Sequence, residues 1–170
     1  MRRFSIAIVL VVGFLWGAVP TGAKMPWPPA ARISNGSGSQ PGGVYTATWT
    51  RPAGKNQCVT MHGDGVQTWN DALSQPAGEP ADIVFPLPLK PKKLKVFAYR
   101  GVDPVGPIGT PEELPYELWS RRDDGVREWV ATIHPTVIAD LYLEVFVAWH
   151  GDGRCGGPGS AGYTFHLSNV

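Results

Sequence analysis

A tetrapeptide occurs twice in this chain, as His62-Gly63-Asp64-Gly65 and as His150-Gly151-Asp152-Gly153. Imidazole and carboxylate together suit Zn²⁺ or Cu²⁺. His62, Asp64, His150 and Asp152 are therefore a candidate metal site if the fold brings the two copies together. Cys58 lies four positions before the first histidine and Cys155 five after the second, so a Cys58–Cys155 disulfide would bring the copies to neighbouring places. The plainer reading is that Asp-Gly is what tight turns require and that the histidine beside it is solvated. The turn reading is preferred, and no cofactor is expected.

A second candidate is a set of rings. Phe97, Tyr99, Trp119, Tyr142 and Phe146 alternate with core-facing residues in their segments and are expected on outer faces. A monomer rarely leaves a large contiguous apolar patch exposed unless the patch binds something. Interleaved with Glu117, Arg121 and Glu144, such rings could stack on sugars or dock a protein. The competing expectation is that residues 24–43, 83–89 or 101–115 lie over them. Trp49, Trp129 and Trp149 fall among core-facing residues and read as packing.

Catalytic patterns are missing. Pro158-Gly159-Ser160-Ala161-Gly162 lacks the first glycine of a nucleophile elbow. There is no H-E-x-x-H, phosphate-binding glycine loop or dinucleotide fingerprint. His134 and His166 have no acid partner visible in the sequence. The expectation is a non-catalytic protein.

The chain begins like a secretory signal: Arg2 and Arg3, an apolar run over residues 4–19, then Thr21-Gly22-Ala23 as a cleavage site. The run is short for a membrane span, so a membrane is expected only through an uncleaved signal segment. No cysteine stands near the cleavage site, which argues against a lipid anchor. The reading is a secreted, periplasmic or cell-surface protein, in which Cys58 and Cys155 form one structural disulfide. Removing residues 1–23 takes two of the 15 Lys and Arg and none of the 14 Asp and Glu, leaving a charge of about −1. That speaks against a nucleic-acid partner, which needs a basic excess. The dense basic run, Lys90, Lys92, Lys93 and Lys95, reads as a guarded strand edge.

These groups must be held by short strands. The 21 glycines and 17 prolines mark many turns, and no long stretch has helical apolar spacing. Short helices are conceivable only near residues 70–74 and 111–114. In residues 140–149, Leu141, Leu143, Val145, Val147 and Trp149 fall on one side, with Tyr142, Glu144, Phe146 and Ala148 on the other. In residues 116–133, Asp124-Gly125 predicts a two-residue turn that places Arg121 opposite Glu128 and Trp119 opposite Val130.

Strands are also expected at residues 44–51, 57–61, 66–69, 93–100 and 163–170, with residues 62–65 a turn and 101–115 a long loop. Residues 83–89 carry Pro86 and Pro88 and are expected at a sheet edge. Residues 24–43 read as a Pro/Gly/Ser-rich linker or arm, with a glycosylation sequon at Asn35 that matters only in a eukaryotic host. Residues 44–170 are then one all-β domain, an antiparallel β-sandwich. The pieces TWTRPAG and GYTFHL resemble immunoglobulin or fibronectin-type-III sandwiches. The function expected is that of a binding or structural module for an unidentified protein or glycan, its contact surface centred on Trp119.

Overall fold

The computed structural model describes residues 29–52, 55–103, 106–136, 139–149, 155 and 159–169. Residues 1–23, where a signal segment is expected, and His150 and Asp152 lie outside them. The described residues form strands and no helix. In chain order the strands are β1 (Arg32–Asn35), β2 (Gly38–Pro41), β3 (Gly43–Pro52), β4 (Cys58–Asp64), β5 (Leu73–Ser74), β6 (Ala81–Phe85) and β7 (Pro91–Tyr99). They continue with β8 (Val102–Asp103), β9 (Gly106–Pro107), β10 (Glu112–Glu113), β11 (Tyr116–Asp123), β12 (Val126–Ile133), β13 (Asp140–Trp149) and β14 (Gly159–Ser168).

Two sheets pack face to face as a β-sandwich. One has the order β11-β12-β6-β1-β2, the other β10-β7-β13-β14-β3-β4, with β5 parallel beside the end of β14. All other pairings are antiparallel, including the small β8-β9 ribbon. β13 lies between β7 and β14, and its inward residues Leu141, Leu143, Val145, Val147 and Trp149 are all buried. Ile33, Ile83, Phe85, Ala131 and Ile133 meet them from the five-stranded sheet. Trp149 packs edge-on against Trp49 and Phe85. Period-2 alternation thus turns a sequence pattern into one apolar layer, because burial of each large aliphatic side chain contributes about 1.5–3 kcal/mol.

The β11–β12 hairpin has the expected register: Arg121 faces Glu128, Trp119 faces Val130, and Leu118 faces Ala131. Asp124 and Gly125 have φ of 46° and 80°, as a two-residue hairpin turn requires. The disulfide forms between Cys58 and Cys155, with Cα atoms 5.6 Å apart.

Other expectations need correction. Residues 32–41 form the β1–β2 hairpin instead of belonging to an arm, and Ile33 is in the core. β6 is central, between β12 and β1, because its prolines fall after Phe85 rather than inside the paired run. Residues 73–74 and 112–113, within the two helical candidates, pair as the short strands β5 and β10. The first His-Gly-Asp lies on β4 rather than in a turn, since β3 is long enough to pair as far as Asp64. The stretch 101–115 is not one loop but carries β8, β9 and β10.

Asn35 closes the β1–β2 turn. Its amide nitrogen donates to Ser74 O and Gln75 Oε1, and its oxygen accepts from the Ser37 and Gly38 amides. That amide is occupied structurally, so the sequon is used by the fold itself.

Candidate functional site

Four of the five predicted rings share the outer face of the seven-stranded sheet. Tyr142 pairs across to Tyr99, Glu144 to Phe97, and Phe146 to Lys95, so all project from the same side. Trp119 is elsewhere. It stands on β11, at the outer face of the five-stranded sheet, donating its indole N–H to Thr132 Oγ1, which in turn donates to Asp82. The rings therefore do not make one surface.

A strap formed by residues 65–70 crosses one half of the outer face. The Gly65 amide donates to Tyr45 O, Thr164 Oγ1 donates to Thr68 O at 2.6 Å, and Asn70 donates to Pro41 O. Gln67 Nε2 donates to Glu144 Oε1 at 2.5 Å, and Trp69 sits edge-on to Tyr142. Tyr142 also stacks on His166 with centroids 4.4 Å apart, and His166 Nε2 lies 2.9 Å from Asp140. The acid partner that His166 lacked in the sequence is thus Asp140, its diagonal neighbour across β13 and β14, where Tyr142 is the residue directly opposite His166.

Glu144 is the centre of this covered half. It is 8% exposed, and it accepts a second hydrogen bond from the Tyr99 hydroxyl at 2.9 Å. No cation pairs with it among the described residues. Burial, the hydrogen bond to Glu144 and the charge of Glu144 together push Tyr99 up to about 12. The Tyr45 hydroxyl, buried and without a well-formed hydrogen bond among the described residues, is pushed up further by burial first and then by Glu144. Two donated hydrogen bonds satisfy a buried carboxylate without an ion pair.

The other half of the face is open. A groove of about 570 Å³ runs over it, lined by Lys93 and Lys95 of β7, Phe146 and Ala148 of β13, Ser160 of β14 and Thr46 of β3. Phe146 forms its wall, 39% exposed and braced edge-on by Tyr45 and Phe97. Ala148 and Ser160 give the floor short side chains, and beside them the Tyr45 ring lies over Gly162, where a Cβ would stand. Tyr116 of the opposite sheet closes the β7 end by donating its hydroxyl to Leu94 O. Sequence reading missed this groove and the strap. The outward alternation of β7, β13 and β14 was visible, but nothing in it says which half is covered.

His62 and Asp64 share the outer face of edge strand β4, where His62 Nδ1 is 3.2 Å from Thr48 Oγ1 and Asp64 accepts from Thr46. Four residues of strand, about 13 Å at roughly 3.3 Å each, separate His62 from the disulfide. No group of three or more metal-ligand side chains occurs among the described residues. No helix among them is long and apolar enough to cross a membrane. No protein-family model, curated protein or solved structure matches this chain.

Proposed function

We propose that this protein is an exported, non-catalytic binding module that seats its ligand on the open half of the seven-stranded sheet. The observation that carries the reading is the groove beside Phe146, a ring left 39% exposed while the rings next to it are half-buried. A braced aromatic wall above a floor of small side chains suits the flat apolar face of a ligand. The disulfide agrees with an oxidising compartment, and export itself is inferred from residues 1–23. An immunoglobulin or fibronectin-type-III type belongs to the same proposal and rests on the two short sequence pieces.

The test is retention of soluble glycans and cell-envelope proteins on immobilised protein, compared between wild type and Phe146→Ala. Loss of the retained ligand by about tenfold, or 1.4 kcal/mol, in the variant supports the site. Equal retention by both removes it. Trp119, on the opposite sheet, supplies a built-in comparison: Trp119→Ala leaves the retained ligand in place, and the reverse pattern would move the site to the five-stranded sheet.

A further inference from the structure

We propose that the groove takes a segment of an acidic polysaccharide, with sugar rings against Phe146 and carboxylate or sulfate groups directed to Lys93 and Lys95. This rests on the reading of the open half-face as the ligand-binding surface. Three observations carry it.

The first is charge. Among the described residues no carboxylate lines the groove, whereas two ammonium groups stand along its β7 side. Lys93 has no ion-pair partner among the described residues. Lys95 meets Glu113 at 3.3 Å, but both side chains are more than half exposed. Such a pair contributes little and exchanges readily for a ligand anion.

The second is shape. From β7 through β13 and β14 to β3 the groove crosses three strand spacings, about 14 Å at ~4.8 Å each. That run accommodates several linked rings rather than one compact molecule. Lys95 also lies 5.4 Å from the Phe97 centroid, so its charge is held beside the aromatic wall.

The third is the floor. It consists of outward side chains on strands whose backbone groups are already paired on both sides. An extended peptide laid over this floor, away from the outer edge of β7, would find no free ladder to join. A saccharide needs none: it uses ring contact plus scattered hydroxyls, and the Ser160 hydroxyl has no side-chain partner among the described residues.

The experiment measures binding of polygalacturonate, alginate, hyaluronan and heparin, each beside its carboxyl-reduced counterpart (for heparin also desulfated and N-acetylated, so that no charge remains), to wild type, Phe146→Ala and Lys93→Ala/Lys95→Ala. All three substituted positions line the open groove, and thermal unfolding checks that the variants fold. The expected result is that at least one acidic polymer binds, with affinity about tenfold lower for its uncharged counterpart and about tenfold lower in each variant. Equal binding of the charged and uncharged forms overturns the acidic assignment and leaves the binding surface standing. Acidic binding that survives Phe146→Ala is simple ion exchange and overturns it as well. If none of the eight polymers binds, the saccharide inference fails, and the retention assay alone then judges the binding surface.

Discussion

Glu144 shows how a single side chain organises its surroundings without an opposite charge. Its two oxygens take hydrogen bonds from Tyr99 and from Gln67 of the strap, so replacing it with alanine strands two donors at once. Glu144→Ala is expected to cost about 2–3 kcal/mol, read from the urea unfolding midpoint, because hydrogen bonds to charged groups are the stronger class. Tyr99 also links this cluster to pH. Its folded pKa is raised from 10.0 to about 12. The contribution is fully present below pH 10, where both states are protonated. It is lost as pH rises through about 12, since the unfolded chain releases the proton first. Stability should therefore fall with pH above 10, and more gently in Tyr99→Phe; an equal slope in both proteins would contradict the assignment. The outward position of Glu144 was legible from alternation. Its burial was not, because the residue that covers it is 77 positions away.

Among the elements, the β11–β12 hairpin is the one the local sequence specifies completely. Its turn needs positive φ at Asp124 and Gly125, and that alone sets all eight cross-strand pairs. Gly125→Ala should cost about 1 kcal/mol by thermal unfolding, as expected for a side chain forced to φ of 80°. Gly159 is a harsher case. At φ of 109° a Cβ would lie 2.0 Å from Thr48 O, so Gly159→Ala must shift the start of β14 against β3, and a loss of about 3 kcal/mol is expected.

Glu128 shows what an element gains from outside itself. The expected Arg121 partner is there at 3.2 Å, and Arg32 from β1 arrives at 3.0 Å on the same oxygen. The strand β1 was hidden because glycine and serine dominate its neighbourhood and only Ile33 betrays a core face.

For the molecule as a whole, the Cys58–Cys155 bond closes a separation of 97 residues between the edge strand β4 and the segment linking β13 to β14. On the chain-entropy account, loops of this length are stabilised by about 4–5 kcal/mol, so reduction or Cys58→Ser/Cys155→Ser should lower the unfolding midpoint by that equivalent. A midpoint unmoved by reductant would mean that the link constrains little. The bond ties the β3–β4 hairpin to the β13–β14 connection, two pairings that are each local in sequence, which is why its effect belongs to the whole molecule rather than to one hairpin.

The residues alone determined the all-β class, the inner and outer sides of β13, the hairpin register and the pairing of two cysteines. Each follows from local alternation, turn chemistry or simple counting. Tertiary structure decided the rest: that β6 is central, that Trp119 faces away from the other rings, and that the strap covers Glu144 but leaves Phe146 open. Those outcomes depend on strand order and on which distant segment lies over a face. Local periodicity is blind to both, because inward and outward residues alternate identically whether or not the outer side is later covered.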